Sequence, residues 1–152
     1  MNGNGLAAAF RATTYRVSTP EGDFALRVGV ADSAFDDWLG RWSLSPERPA
    51  IAAPTVATAA VGWGIVTAHN PGTVLAAHQN ELRQQRLRDR LTALAWPFLP
   101  GCNLADDDLW PPEPSFLLLA VTPLQVMAIG REFEQRAVIC GKRGSLPELC
   151  WL

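Results

Sequence analysis

The chain has 152 residues, of which 48% are hydrophobic and 18% charged, and its formal net charge is −2. This length suits one domain with a buried core, whereas the slight negative charge argues against a general nucleic-acid binder, which needs a basic face. The sequence lacks an apolar run of about 18 residues and a signal-peptide pattern at its start, so we expect a cytoplasmic protein with no membrane partner.

The first part of the chain is predicted to form a β-hairpin and then a short helix. Thr13–Val17 is rich in β-branched and aromatic residues, Phe24–Val30 is largely apolar, and a Pro-Glu-Gly-Asp turn separates them. Residues 33–42 favour a helix capped by Ser33. Residues 43–58 are rich in proline and alanine, which predicts a flexible surface loop inside a single domain spanning residues 1–152.

A buried strand and a strong helix are predicted next. Ala59–His69 is apolar on both faces, as in a central strand covered on both sides, and its glycines indicate a bulge or the close approach of another element. Residues 76–95 favour a helix. Its apolar stripe consists of Leu87, Leu91 and Leu94.

The C-terminal part is predicted to alternate strands with one more helix. A loop over residues 97–114 leads to a buried strand, Ser115–Val121. Thr122 then opens a helix with a capping box, and strands follow at Ala137–Gly141 and at residues 148–152. The whole order predicts an α/β or α+β domain: a mixed sheet of about five or six strands, two main helices and the N-terminal hairpin.

Several short motifs follow one another between Thr13 and Cys140. They are Thr14-Tyr15, ITAxNP (Ile65-Val66-Thr67-Ala68-His69-Asn70-Pro71), NxxR (Asn80, Arg83), EPSF (Glu113–Phe116) and FxQxA (Phe133, Gln135, Ala137). In these motifs the chain resembles a small bacterial family of uncharacterised proteins, the domain of unknown function, family thirty-two ninety-three. Glu134 stands where a glycine is usual in that pattern. The resemblance implies no activity, so the chemistry is argued from the residues.

Polar residues at the ends of the predicted elements form the candidate ligand site. Thr67 and Asn70 lie at the carboxyl end of the central strand, where α/β sheets usually bind ligands, although Asn-Pro-Gly is also ordinary turn chemistry. Gln135 either caps the second helix or contacts a ligand. The complete candidate set is Thr67, Asn70, Asn80, Arg83, Glu113, Ser115 and Gln135.

Asn80 and Arg83 interrupt the helical stripe where apolar residues are expected. One interpretation is structural: Asn80 ties the Asn-Pro turn to the helix and Arg83 pairs with a carboxylate, for which Glu113 is the natural candidate. The other is a polar pocket with Arg83 as an anion clamp. Glu113 and Ser115 would share a strand face with Leu117. A carboxylate beside an apolar strand can act either as a general base or as an ion-pair partner, and both roles are open for Glu113.

The leading hypothesis is therefore a protein that binds a small anionic or nucleotide-like ligand. The alternatives are a small hydrolase or transferase with Glu113 as general base, and an interaction module, which exposed Trp38, Trp42 and Trp110 would favour. Two histidines without a third ligand predict no metal site, and no cofactor is predicted. The arginine-rich helix raises nucleic acid as a partner, but the net charge argues against it, and the oligomeric state is not predicted.

Overall fold

A computed structural model describes residues 3–45 and 61–152, which form a seven-stranded sheet with helices on both faces. The elements are α1 (Gly3–Arg11), β1 (Thr13–Thr19), β2 (Gly22–Leu26), α2 (Ser33–Leu44), β3 (Gly62–Val66), α3 (Ala77–Ala93), β4 (Phe98–Ala105), β5 (Glu113–Leu119), α4 (Pro123–Glu132), β6 (Ala137–Lys142) and β7 (Glu148–Trp151). Within the described ranges, no helix is both long and apolar enough to cross a membrane.

The sheet order is β2-β1-β4-β5-β3-β6-β7, and every neighbouring pair is antiparallel. The α/β character is confirmed, but the prediction of a mixed sheet of five or six strands is wrong. The physical reason is β4: this extra strand reverses the chain between α3 and β5, so β5 returns antiparallel to β3. The α4 helix then carries the chain over β3 to β6.

Strand β4 lies inside the segment predicted as a loop. Pro100 and Gly101 are the residues that favour a loop there, yet both pair with β5. A Cβ on Gly101 would lie 2.6 Å from the carbonyl oxygen of Arg16, so this glycine lets β1 and β4 approach closely. Helix α1 was also not predicted, whereas the N-terminal hairpin is confirmed as β1 and β2.

The core has two layers, one on each face of the sheet. On the first face, the strands pack against α2 and Phe10 of α1; on the second, they pack against α3 and α4. Strand β3 lies between β5 and β6 and contributes Trp63 and Ile65 to the first layer and Val66 to the second. The prediction of a central strand covered on both sides is therefore confirmed.

Glycine in β3 marks the close approach of a helix. A Cβ on Gly64 would lie 2.5 Å from a methyl group of Val126 in α4, and 3.1 Å from the carbonyl oxygen of Ile139. Because α4 lies against β3 at this point, the residue here has to be small. Of the two predicted explanations for these glycines, close packing is the one found at Gly64.

The helix boundaries follow local signals. The predicted helix at residues 33–42 is α2, but its cap is Asp32, whose carboxylate accepts from the main-chain N–H of Phe35 at 2.9 Å, not Ser33. Most of the predicted loop at 43–58 lies outside the described residues, and its first two residues end α2. In α3, Leu87 and Leu91 are fully buried, as the stripe predicts.

Candidate functional site

The loop after β3 is fastened to α3 by a pair of asparagines. Asn70 adopts a left-handed conformation, with φ of 46°. Its Oδ1 accepts from Nδ2 of Asn80 at 2.8 Å and from the main-chain N–H of Leu75 at 3.0 Å, while its own main-chain N–H donates to Oδ1 of Asn80 at 2.8 Å. Asn80 therefore ties the Asn-Pro turn to the helix, as the structural interpretation predicts.

Arg83 and Gln84 hold the next part of the same loop. Nε of Arg83 donates to the carbonyl of Ala68 at 2.9 Å, and the N–H of Ala68 donates to Oε1 of Gln84 at 2.9 Å. Gln84 was not predicted as a site residue. It is buried and continues the stripe between Asn80 and Leu87, which is the signal that could have revealed it.

The rest of the Arg83 guanidinium contacts the end of α4. Nη2 donates to the carbonyl of Phe133 at 2.5 Å, and Nη1 pairs with Glu134 at 3.1 Å. Glu113 as the partner of Arg83 is therefore wrong, because the helix directs the guanidinium toward α4. Glu134 itself has φ of 58°, a left-handed conformation that favours glycine.

Gln135 and Arg136 complete the support of the loop. Nε2 of Gln135 donates to the carbonyls of His69 at 3.1 Å and Phe133 at 3.3 Å. Nη2 of Arg136 donates to the carbonyl of Gly72 at 3.1 Å. The loop is thus bonded to both α3 and the segment that leads into β6, and its geometry is fixed by side chains on two separate elements.

Glu113 faces the loop from the start of β5. Its Oε1 accepts from Nδ2 of Asn70 at 2.8 Å, and it forms no ion pair with any described residue. Ser115, two residues on, is buried beside Gly101, and its Oγ has no hydrogen-bond partner in the described part of the chain. The carboxylate is therefore available to a ligand, whereas the hydroxyl is enclosed in the sheet packing.

Two concave spaces meet at Glu113. The α1 cavity, of about 420 Å³, lies between α1 and the first face of the sheet, and the α3 cleft, of about 610 Å³, lies between α3 and the Pro111–Pro114 segment. Thr67, Asn70, Glu113 and Gln135 of the predicted set line the cavity, and Asn70, Asn80 and Glu113 line the cleft. Arg83 and Ser115 line neither space.

The polar floor of the α1 cavity is a row across three adjacent strands. Tyr15 of β1 is paired with Asn103 of β4, and Asn103 is paired with Glu113 of β5. Asn103 is only 9% exposed, and its Oδ1 has no partner among the described residues. Tyr15, Asn103 and the neighbouring Thr13 were not predicted as site residues, because the prediction of a loop in place of β4 hid their pairing.

Tyr15 and His69, which lie near Glu113, are both uncharged at pH 7. Burial raises the pKa of Tyr15 well above its usual range, and the nearby Glu113 adds to this rise, so the hydroxyl stays protonated. Burial lowers the pKa of His69, which outweighs the opposing attraction of Glu113 and Glu81, so the imidazole is neutral at pH 7. The Nε2 atom of His69 is buried without a partner in the described chain.

This chemistry suits hydrogen bonding or proton acceptance by Glu113. Across residues 3–45 and 61–152, His, Cys, Asp and Glu do not form a group of three or more that could hold a metal ion. The site thus offers one carboxylate, one unpaired amide oxygen and several hydroxyl oxygens on an apolar background.

Comparison with known protein families gives a match, and it covers the loop after β3 and the side chains that hold this loop. The model of a family described as "Protein of unknown function (DUF3293)" matches residues 66–138, from the end of β3 into β6. This segment of the chain is similar to DUF3293. This confirms the resemblance predicted from the motifs, and the matched segment contains the asparagine pair, Arg83, Glu113 and Gln135. Neither the curated proteins nor the solved structures include a match to the chain.

Proposed function

We propose that this protein binds a small organic ligand in the α1 cavity, with Glu113 as the main anchor. The observation that carries the proposal is the unpaired, buried Oδ1 of Asn103, which stands beside Glu113 on the cavity floor. A buried acceptor without a partner costs roughly 1–3 kcal/mol, so folded proteins seldom keep one without a reason. A donor on a bound ligand would satisfy it.

The shape and lining of the cavity support the same proposal. Its volume of about 420 Å³ falls within the range of roughly 300–1,000 Å³ that small-molecule sites occupy. Leu6, Phe10, Ile65 and Ile139 supply apolar walls around the polar floor. An apolar enclosure with a few convergent polar groups is the usual composition of a ligand site.

Arg83 as an anion clamp has less structural support than the binding of a nucleotide-like ligand through its base. Three nitrogens of Arg83 donate to protein oxygens, and the residue lines neither space. Arg136 is the one Lys or Arg among the described cavity-lining residues; it is exposed, and part of its guanidinium binds Gly72. An anionic group on the ligand would therefore meet Arg136 at the solvent-facing side of the cavity.

A cavity-filling substitution tests the proposal. Ala9 of α1 lines the cavity, whereas the preceding residue, Ala8, is exposed and does not line it. We expect that a thermal-shift screen with nucleosides, nucleotides, sugar phosphates and carboxylates finds a compound that raises the Tm of the wild type. Ala8→Phe should keep this rise and Ala9→Phe should lose it, because only the second ring enters the cavity. An equal rise in both variants would contradict binding in this cavity.

General-base catalysis by Glu113 is the second candidate function. The observation in its favour is that Glu113 has no cationic partner among the described residues and borders both spaces. Mass spectrometry after incubation with each bound compound distinguishes this function from binding alone. Product formed by the wild type and lost in Glu113→Gln would support catalysis.

The interaction-module alternative depended on a surface of exposed tryptophans. Trp38 is buried in the first core layer, and Trp42 and Trp110 are half-buried. These three tryptophans therefore give no support to a docking surface. A cytoplasmic location remains our expectation; Cys102, Cys140 and Cys150, which are free thiols, are compatible with it.

A further inference from the structure

Three hydroxyl groups in the α1 cavity, those of Thr13, Tyr15 and Thr67, have already used their donor hydrogens. Thr13 Oγ1 and Tyr15 Oη donate to main-chain carbonyls of α1, at 2.7 and 3.1 Å. Thr67 Oγ1 donates to the carbonyl of Pro114 at 2.8 Å. Since a hydroxyl carries one hydrogen, these three side chains can offer a ligand only lone pairs.

The side-chain amides of the loop supports are also engaged as donors. Nδ2 of Asn70 donates to Glu113, and Nε2 of Gln135 donates to two main-chain carbonyls, those of His69 and Phe133. These bonds hold the loop, so a ligand that needed the same hydrogens would compete with the fold itself.

Unused acceptor capacity, in contrast, remains on two adjacent residues, although Oε1 of Glu113 already accepts from Asn70. Glu113 and Asn103 are directly paired residues of β5 and β4, so their Cβ atoms are about 4.5–5.5 Å apart. One carries a negative charge without a paired cation in the described chain, and the other has an unpaired Oδ1. Two adjacent acceptors, beside hydroxyl groups of Thr13, Tyr15 and Thr67 that cannot donate, are complementary to a ligand with two adjacent N–H groups.

We propose that the ligand of the α1 cavity presents an amidine-type edge of N–H donors to Glu113 and Asn103. Such an edge occurs on a cationic amidine or guanidine and on a neutral 2-aminopyrimidin-4-one ring, as in guanine, whose ring N–H and amino group are adjacent donors. Phe10 and Trp110 also line the cavity and provide aromatic surface for a planar group. This inference rests on the proposed function and adds to it the chemical class of the ligand.

Matched probes test the donor edge by calorimetric titration of the full chain. Benzamidine and benzoate share a planar ring, but the first has an N–H edge and the second an acceptor edge. Guanosine and inosine differ by the one amino group that completes the neutral edge. We expect benzamidine or guanosine to bind, and the matched analogue, benzoate or inosine, to bind at least about tenfold more weakly. Binding of benzamidine would indicate a cationic edge on the natural ligand, and binding of guanosine would indicate a neutral one.

A conservative variant locates the effect at Glu113. Glu113→Gln keeps an oxygen for Asn70 but removes the charge and turns an amide donor toward the ligand, so it should abolish the preference for the donor probe. Glu148→Gln removes the same charge from an exposed residue outside the cavity and should leave the preference unchanged.

The outcomes separate this inference from the function on which it rests. Equal binding of donor and acceptor probes, blocked in both cases by Ala9→Phe, would overturn the donor edge and retain the cavity as a ligand site. Absence of binding by both benzamidine and guanosine at millimolar concentration would also overturn the donor edge. The proposed function itself is wrong if no compound raises the Tm of Ala8→Phe more than it raises the Tm of Ala9→Phe.

Discussion

Arg83 shows at the scale of one residue how a site-like pattern can have a structural role. Its side chain is 19% exposed and holds the carbonyls of Ala68 and Phe133, as well as the carboxylate of Glu134. Arg83→Ala leaves the carbonyl of Ala68 without its donor and removes one of the two donors to the carbonyl of Phe133, so we expect the free energy of unfolding to fall by roughly 2–4 kcal/mol. Urea denaturation measures this loss.

Arg90 on the same helix is the control for that substitution. Its ion pair with Glu132 joins two side chains that are each 45% exposed, so Arg90→Ala should change the free energy of unfolding by less than about 1 kcal/mol. Equal stability of the wild type and Arg83→Ala, together with lost ligand binding, would instead restore the anion clamp.

The candidate residues were recognisable from the sequence, and the tie between Asn80 and the Asn-Pro turn was predicted as one of two interpretations, but the partner of Arg83 was not. Asn80 is conspicuous because an amide interrupts a leucine stripe, a pattern that lies within one helix. Its partner, Asn70, belongs to another element, and the choice of Glu134 over Glu113 by Arg83 depends on where α4 ends. Such pairings are set by tertiary placement, which no local pattern encodes.

At the scale of elements, the contact between β3 and α4 depends on Gly64. A Cβ at this position would overlap the methyl groups of Val126, so Gly64→Ala should lower the free energy of unfolding by roughly 1–3 kcal/mol. Val126→Ala removes those methyl groups, and the double variant should therefore lose less stability than the two single losses added together. Strictly additive losses in urea denaturation would show that the two residues do not share this space.

Strand β4 explains both the error in the predicted fold and the missed half of the site. Proline and glycine usually interrupt a strand, and here they occupy its middle, where Gly101 permits close approach to β1. The alternation that follows places Asn103 on the cavity face, but it is visible only once residues 98–105 are known to be a strand. By contrast, β6 and α3 were predictable, because β6 begins with a continuous apolar run and α3 carries leucines at helical spacing.

At the scale of the molecule, α1 is the part of the described chain best suited to respond to a ligand. It has no buried residues and is held at its C-terminal end by the hydroxyls of Thr13 and Tyr15 and by the edge-to-face contact of Phe10 with Trp151, whose ring centroids are 5.8 Å apart. Helix α1 closes one side of the cavity, whereas β3 and β5 lie at the centre of the sheet between two core layers.

Hydrogen exchange should therefore show an uneven response to cavity binding. In the free protein, we expect the amides of α1 to exchange much faster than those of β3 and β5, because opening α1 exposes little apolar surface. Saturating benzamidine should slow exchange in α1 and β1, which enclose the ligand, and should leave α2 nearly unchanged, since α2 packs elsewhere on the same face. Benzoate at the same concentration is the control and should leave α1 unprotected. Slower exchange of equal size in α1 and α2 would mean that the ligand stabilises the whole fold without closing the helix over the cavity.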